Sequence, residues 1–203
     1  VQYMLGGTID KRRLSLMHYS QHKTVLEVGC SIGNIAMAFR ILDCDYLGVD
    51  IDDKVITYAS KRYVKYSHMR FRTADLLELS ENKTFDYILF AGVCHHIPTP
   101  QLKEYLDIAA GMLSSTGSPV VVDPVTPDGS VLMQAYVRAD NRAFIRTQDE
   151  LIEILYGVPR LTLLESKALP VGATPFSWPI VAKFVVARME KIPKFICLGI
   201  QSI

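Results

Sequence analysis

Short apolar runs rich in β-branched residues alternate with longer amphipathic stretches along the first part of the chain. The short runs predict five strands, at residues 24–28, 46–50, 70–74, 85–90 and 119–123. The longer stretches predict helices at residues 33–42, 52–66 and 101–113, with Asp52 as the N-cap of the second and Gly117 as the residue that stops the third. This alternation is typical of a parallel sheet with helices on both faces.

The last third of the chain is less regular. Residues 131–143 are predicted to be helical, and Thr147 with Glu150 forms a capping box that opens a helix to residue 156. Two β-like runs follow, at residues 161–168 and 180–188. Only a loop joins them, and since a parallel pair needs a crossover, they are expected to pair antiparallel. The predicted fold is α/β, a doubly wound, mostly parallel seven-stranded sheet with an antiparallel C-terminal strand.

Length and composition favour one domain. The 203 residues, 49% of them hydrophobic, supply one substantial core, and no linker-like break divides them, so residues 1–203 are expected to form a single domain. Lys and Arg total 22 against 21 Asp and Glu, a net charge of +1. Nucleic acid is therefore a disfavoured partner, because the chain as a whole does not attract a polyanion.

Cysteine usage and hydropathy indicate the cellular setting. Cys30, Cys44, Cys94 and Cys197 are scattered at spacings that suggest neither a disulfide framework nor a metal site. No stretch approaches the roughly 20 apolar residues that a membrane span requires, and residues 1–7 do not resemble a secretory signal. We therefore expect a cytoplasmic protein with reduced thiols, no membrane span and no metal.

Glycines and acids mark the carboxyl ends of the first three predicted strands. Gly29 and Gly33, in the turn EVGCSIG at residues 27–33, stand where the backbone turns sharply and lets a ligand approach. Asp50 ends the second strand roughly 20 residues later, where a carboxylate accepts hydrogen bonds from ribose hydroxyls. Asp75 follows the third strand. Each feature alone is common in turns and helix caps, but the set predicts one binding crevice along this edge of the sheet.

Four segments together resemble the class I S-adenosylmethionine-dependent methyltransferases of the small-molecule type. They are residues 25–34 (VLEVGCSIGN), 47–50 (LGVD), 74–76 (ADL) and 85–89 (FDYIL), and the likeness covers the first 125 residues or so. The resemblance implies the Rossmann-like fold of that family. It also implies S-adenosylmethionine as the cofactor, with S-adenosylhomocysteine as its product.

The resemblance assigns one part of the crevice to the methionine end of the donor. Gly29 and the backbone around Cys30 would lie against it, and Glu27 would support the turn and suit the donor's ammonium group. Ala91 and Gly92, after the fourth strand, are small enough for the close approach of that end. The implied cofactor-binding residues are, in full, Glu27, Gly29, Cys30, Gly33, Asp50, Ile51, Asp75, Leu76, Ala91 and Gly92.

The other part would hold the adenosine. By the same resemblance Asp50 binds the ribose, Ile51 packs on adenine, and Asp75 with the Leu76 amide reads the adenine edge. Ser31 departs from the family pattern, since many members have a further glycine there. A serine serves equally well provided that its backbone angles are ordinary.

A nicotinamide or flavin enzyme is the alternative for such a turn. Its G-x-G-x-x-G pattern lets a pyrophosphate reach the helix N-terminus, and residues 29–34 (GCSIGN) do not match it. Glu27 would in addition repel a pyrophosphate. The sequence therefore favours the sulfonium donor.

His95 and His96 are the candidate catalytic residues. They follow the fourth strand at the mouth of the crevice, and an imidazole titrates near neutral pH. Methyl transfer from a sulfonium depends mainly on alignment and desolvation, so a general base is optional. The two histidines therefore act either as a base or as part of the wall of the donor pocket.

The acceptor pocket is expected outside the sheet core, in residues 1–22 and 124–158 as capping segments. These segments contain Arg12, Arg13, Arg138, Arg142 and Arg146, which either recognise an anionic acceptor or pair with nearby acids. The fourth strand lacks the carboxylate cluster of catechol-type enzymes and the Asn-Pro-Pro-Tyr-like segment of adenine or glutamine methylation. These absences favour a small-molecule acceptor, methylated on O, N or C in biosynthesis or natural-product tailoring.

Two other interpretations stay open at this point. One is a donor-binding but catalytically silent partner subunit, and the other is a methyltransferase for a macromolecular or lipid-like acceptor. The apolar tail at residues 195–200 is compatible with a lipid-like acceptor, with a buried edge or with a contact in a homodimer.

Overall fold

The computed structural model describes residues 21–79, 84–126, 144–172 and 180–192. Its seven strands in those ranges are β1 (Thr24–Val28), β2 (Asp45–Asp50), β3 (Met69–Thr73), β4 (Phe85–Ala91), β5 (Leu113–Val125), β6 (Leu161–Gly172) and β7 (Ile180–Lys191). The helices are α1 (Ala36–Phe39), α2 (Asp53–Arg62), α3 (Thr99–Met112) and α4 (Gln148–Tyr156), with 3₁₀ turns at Leu76–Glu78 and Cys94–His96. None of these helices has the length and apolar character that a membrane crossing requires.

The strands form one sheet in the order β3-β2-β1-β4-β5-β7-β6. Strand β1 pairs in parallel with β2 and β4, and β3 and β5 extend the parallel part on either side. Strand β7 pairs antiparallel with both β5 and β6. The predicted mostly parallel sheet with an antiparallel C-terminal strand is confirmed. Because the strand order reverses between β1 and β4, a crevice forms at the carboxyl ends of these two strands.

Both faces of the sheet are buried, which explains why the central strands are apolar throughout. Leu26 and Val28 of β1 belong to a core that includes Leu106 of α3 and Leu155 of α4. Successive side chains of a strand point to opposite faces, and Val25 accordingly lies in a second core with residues of α1 and β2, among them Phe39 and Tyr46. The doubly wound architecture is therefore confirmed.

Some predicted boundaries were wrong. The first helix is confined to Ala36–Phe39, because Gly33 adopts a φ of 72° and the residues before Ala36 form turns. The second helix does begin after the N-cap Asp52, whose side chain accepts the Lys54 N–H, but it ends at Arg62. The capping box at Thr147 is confirmed, with both of its hydrogen bonds present. The predicted helix at residues 131–143 lies outside the described residues.

Gly117 does not end a helix, as the sequence had suggested. Helix α3 stops at Met112 and β5 begins at once, with Gly117 inside it. The pairing of β5 with β4 shifts register between Phe85 and Tyr87. A Cβ atom at position 117 would lie 2.7 Å from the Phe85 carbonyl oxygen. The glycine is thus required for the close approach of two strands at an irregularity in their pairing.

Replacing Gly117 with Ala is expected to destabilise the protein by about 1–3 kcal/mol, because the new methyl group meets a backbone carbonyl. Urea unfolding measures the change. Gly111→Ala is the matched control, since Gly111 lies within α3 and a Cβ atom there comes no closer than 3.4 Å to its neighbours, at Arg160 Nη1. That control should be neutral or stabilising by up to about 1 kcal/mol. Equal effects of the two substitutions would contradict the close approach at Gly117.

Candidate functional site

A cavity of about 450 Å³ opens at the carboxyl ends of β1, β2 and β4, where the strand order reverses. Its wall combines strand ends and turns with one side of α3. The lining residues are Val28, Gly29, Ser31, Val49, Asp50, Ile51, Ala74, Leu76, Gly92, Val93, His96, Ile97, Gln101 and Tyr105. The crevice predicted from the glycine turn and Asp50 therefore exists.

The turn after β1 contains three positive φ angles, at Gly29 (69°), Ser31 (49°) and Gly33 (72°). A Cβ atom on Gly29 would lie 2.5 Å from Val93 Cγ2, and one on Gly33 would lie 2.7 Å from Tyr63 Cε2. Glycine is thus required at both positions, because of the backbone conformation and because a side chain would have no room. The condition stated for a serine at position 31, ordinary backbone angles, is not met, since the Ser31 backbone is left-handed.

Asp50 explains how a serine is held in that conformation. Its Oδ2 accepts the Ser31 N–H at 2.9 Å, and its Oδ1 accepts the Asp52 N–H at 3.1 Å. A carboxylate has about four acceptor positions, so two remain for other donors. Ile51, next to it, is 75% exposed, which is unusual for so apolar a side chain. The end of β2 therefore presents an acceptor and an uncovered apolar surface side by side.

Glu27 and Cys30 lie beneath the turn and outside the lining of the cavity. The Glu27 side chain is buried and accepts a hydrogen bond from the Tyr46 hydroxyl. The Cys30 N–H donates to the Val49 carbonyl at 3.0 Å, which ties the turn to β2. Burial, with the charges of Glu27 and Asp50, raises the pKa of the Cys30 thiol far above its usual range. The Cys30 thiol is thus uncharged and packs in the core.

Asp75 also lies outside the lining, although Ala74 and Leu76 on either side of it belong to the wall. Its carboxylate caps the 3₁₀ turn by accepting the Leu77 N–H at 2.9 Å and also accepts the Tyr105 hydroxyl. Across the cavity, Gly92 lines the wall with a φ of 68°. Ala91, in contrast, is buried in the sheet and is not part of the lining.

The two candidate histidines have different environments. His96 lines the cavity. His95 is only 1% exposed, and its Nδ1 lies 3.0 Å from Oδ1 of the buried Asp123. The two rings are neighbours, with centroids 4.0 Å apart. Only His96 is therefore placed to touch a ligand, whereas His95 is anchored below it.

Comparison with known proteins identifies the domain. Residues 25–117 match the family model described as methyltransferase domain. No curated sequence matches the chain significantly. The match covers the glycine turn, Asp50, Asp75 and both histidines.

Residues 25–117 form a methyltransferase domain.

Solved structures agree on the fold of the whole described chain. N-methyltransferase NodS from Bradyrhizobium japonicum WM9 is 21% identical with a TM-score of 0.68, covering 92% of this chain and 94% of that one. The 1,6-didemethyltoxoflavin N1-methyltransferase of Burkholderia thailandensis is 18% identical with a TM-score of 0.73, at 93% and 80% coverage. Magnesium protoporphyrin IX methyltransferase from Synechocystis PCC 6803 is 14% identical with a TM-score of 0.65, at 94% and 80% coverage. At these identities the likeness establishes the fold.

Arg146 holds the wall of the methyltransferase cavity from behind. Sequence reasoning grouped it with arginines for an anionic acceptor, but its guanidinium is buried and donates to the carbonyls of Cys94 (2.8 Å) and Ile97 (2.6 Å) and to Thr99 Oγ1 (3.1 Å). The turn that carries His95 and His96 is thereby fixed. Arg12, Arg13, Arg138 and Arg142 lie outside the described residues.

A second cavity of about 390 Å³ lies between α3 and α4. It is lined by Thr99, Lys103, Phe144, Ile145, Arg146, Glu150, Glu153 and Ile154. None of these residues belongs to the glycine turn or to the end of β2. The crevice at the strand ends is therefore the candidate site of the methyltransferase domain.

Two features of this site had escaped the sequence reasoning. Gln101 and Tyr105 line the cavity from α3, four positions apart on one helix face, and Arg146 braces the histidine turn. The spacing of Gln101 and Tyr105 was a visible signal for a shared face. Nothing in the sequence marked Arg146 as the arginine that is buried. Among the described residues no cluster of three or more His, Cys, Asp or Glu side chains is arranged to hold a metal ion.

Arg146→Lys is expected to destabilise the methyltransferase domain by about 1–3 kcal/mol, because one ammonium group cannot reach two carbonyls and a hydroxyl at once. Thermal unfolding and hydrogen exchange of the amides of residues 94–99 measure the loss. Arg160→Lys is the control, since Arg160 also donates in a fork, to Asp107, but at an exposed position. That change should stay below about 1 kcal/mol. Unaltered exchange in Arg146→Lys would contradict the bracing role.

Proposed function

We propose that this methyltransferase binds S-adenosylmethionine in the cavity and transfers its methyl group to O, N or C of a small-molecule acceptor in biosynthesis or natural-product tailoring. The observation that carries the proposal is the cavity itself, which combines the glycine turn, Asp50 and an apolar wall at the reversal of strand order. Its volume lies within the range of about 300–1,000 Å³ that is usual for small-molecule sites.

Several similar solved structures support the acceptor class. NodS has been crystallised with S-adenosylhomocysteine, and the toxoflavin enzyme with S-adenosylhomocysteine and 1,6-didemethyltoxoflavin. The magnesium protoporphyrin IX enzyme has been crystallised with S-adenosylmethionine. The acceptors that the names of the last two enzymes give, 1,6-didemethyltoxoflavin and magnesium protoporphyrin IX, are small organic molecules. The near-neutral charge of the present chain is consistent with such an acceptor and disfavours a polyanion.

In the proposed complex each end of the donor meets a different part of the wall. The two unused acceptor positions of Asp50 receive the ribose hydroxyls, and the exposed Ile51 covers one face of the adenine. Gly29 and Gly92, both without a side chain and with positive φ, admit the methionine end. Four residues beneath the cavity shape the turn and the end of β4 without lining the cavity. They are Glu27, Cys30, Gly33 and Ala91.

The chemistry requires little from the protein beyond alignment. A sulfonium already carries its leaving group, so holding donor and acceptor in line and excluding water supplies most of the rate enhancement. Val28, Val49 and Ile97 give the cavity apolar walls that serve this purpose. Among the described residues, His96 is the imidazole that lines the cavity, and we assign it the removal of a proton from the acceptor. His95, held by Asp123, positions His96 from below.

We also propose that the protein acts in the cytoplasm. Cys30, Cys44 and Cys94 are buried, and no disulfide joins them to one another. A reducing compartment is where such thiols are usually found. A homodimer remains an expectation of the sequence.

Calorimetric titration of the purified protein with S-adenosylmethionine, S-adenosylhomocysteine and NAD tests the donor. Both adenosyl ligands should bind and NAD should not, because the turn lacks the pyrophosphate pattern. The decisive variant is Asp50→Asn, which retains an oxygen for the turn but loses the charge. It should weaken donor binding by about 1.5–3 kcal/mol, the value of a hydrogen bond to a charged group.

Asp52→Asn is the control for that variant. Asp52 caps α2 two residues further on, and asparagine caps a helix as well as aspartate does. Donor affinity should be unchanged in Asp52→Asn. The proposal of a donor site at Asp50 would be contradicted if Asp50→Asn left donor affinity unchanged. It would also be contradicted if folded wild-type protein bound neither adenosyl ligand.

His96→Ala tests the base. Methyl transfer to an acceptor found by screening small phenols, amines and activated carbons should fall by about 10²–10⁴-fold, the usual contribution of a general base. Donor affinity should be nearly retained. A parallel loss of donor binding and turnover would instead mean that His96 only shapes the pocket.

A further inference from the structure

Three segments meet at the edge of the sheet opposite the crevice. Strands β1, β2 and β3 are parallel, and residues 21–23, 40–44 and 63–68 lead into their amino ends. The Tyr46 N–H donates to the His68 carbonyl at 2.8 Å, so the last two segments enter neighbouring strands side by side. We call the three segments the amino edge. The cavity lies at the carboxyl ends of the strands, and the amino edge is therefore at the other end of the sheet from it.

The amino edge exposes two aliphatic side chains. Val64 is 78% exposed and Ile41 is 73% exposed. Among the described residues, Ile51 in the lining of the cavity is the other large apolar side chain with comparable exposure. Leaving apolar surface in water is unfavourable, and such surface ringed by polar groups marks a contact with a protein or a membrane. The amino edge is therefore a candidate docking surface.

Cations surround these aliphatic side chains. Between residues 54 and 72 the chain contains six Lys and Arg and no Asp or Glu. The acids that follow Ile41 already have basic neighbours, since Asp43 lies 3.1 Å from His22 Nδ1 and Asp45 lies 3.1 Å from Arg70 Nη2. Three exposed cations on the amino edge and the adjoining last turn of α2 have no acid partner within the described residues, namely Arg40, Lys61 and Lys65. This end of the molecule is thus positive, although the net charge of the chain is only +1.

Charge and apolar character together select the partner. A second copy of the same edge would bring like charges together, which opposes a symmetric dimer through this surface. A nucleic acid backbone or another soluble polyanion offers negative groups to the cations but no apolar surface to Ile41 and Val64. A bilayer that contains anionic lipids offers both, because its headgroups attract Lys and Arg and its interface takes up aliphatic side chains.

We propose that the amino edge docks on the surface of a membrane that contains anionic lipids. The cations of the edge lie at the headgroups, and Ile41 and Val64 enter the interface. The contact is peripheral and reversible, because three cations and two aliphatic side chains fall short of a stable anchor. The crevice stays open to its ligands at the opposite edge, and docking occurs whether or not the cavity binds S-adenosylmethionine.

Cosedimentation of the full chain with vesicles tests the docking. The protein should bind vesicles of phosphatidylcholine mixed with phosphatidylserine more strongly than vesicles of phosphatidylcholine alone, and added salt should weaken the binding by screening the cations. Lys61→Gln combined with Lys65→Gln should lower the partition coefficient about 25-fold, at about fivefold for each cation near an anionic surface. Ile41→Ser combined with Val64→Ser should lower it by about tenfold, through the loss of apolar surface.

Lys54→Gln and Leu164→Ser are the matched controls. Lys54 is an exposed lysine at the start of α2, at the end of that helix next to the crevice. Leu164 is 44% exposed and lies in β6, at the far side of the sheet. Neither change should alter binding to the mixed vesicles. All of these substitutions replace exposed side chains, so thermal unfolding of every variant should match that of the wild type.

Two results would overturn the docking outright. They are wild-type protein that stays in the supernatant with both kinds of vesicle, and binding that is equal with and without phosphatidylserine. Vesicle binding that the lysine pair abolishes and the aliphatic pair leaves intact, together with binding of polyglutamate, would assign the amino edge to a soluble polyanion and also overturn it. The two pairs of substitutions are independent, so either one decides the matter where the other fails to fold.

Discussion

The Asp50 carboxylate links two turns on which the crevice depends. One oxygen holds the amide of Ser31 and the other holds the amide of Asp52. Ser31 adopts a left-handed backbone, which costs a residue with a side chain about 1–2 kcal/mol and persists only where the surroundings fix it. The same carboxylate therefore keeps the glycine turn open and places the start of α2. The shape of the ligand site is thus set by hydrogen bonds at the end of β2.

Three acids follow neighbouring strands, and the tertiary environment gives each a different task. Glu27 is buried beneath the turn and bonded to Tyr46. Asp50 lines the cavity, and Asp75 is bonded to Tyr105. A carboxylate that is buried must be supplied with donors, whereas one at the cavity edge retains capacity for a ligand. Burial and the nearby hydrogen-bond donors, more than the residue type, therefore decide whether an acid supports the turn or binds a ligand.

The wall opposite the glycine turn is rigid for electrostatic as well as steric reasons. His95 is bonded to the buried Asp123, and Arg146 donates to the main chain of the same turn. Burial raises the pKa of the Cys94 thiol, the Asp123 charge raises it further, and the Arg146 charge acts in the opposite direction. The hydrogen bonds of Arg146 and the contact between His95 and Asp123 hold the turn that carries His96.

The sequence by itself determined the fold class, the parallel order of elements and the location of the crevice, because apolar period, glycine spacing and acids at strand ends are local signals. It also identified the helix N-cap Asp52 and the capping box at Thr147, whose hydrogen bonds span only a few residues. Only the tertiary structure decided the rest. It placed Gly117 in a strand, separated His96 from the buried His95, turned Arg146 inward and bonded Tyr105 to Asp75. Each of these outcomes depends on contacts between residues that are far apart in sequence, and such contacts leave no periodic trace along the chain.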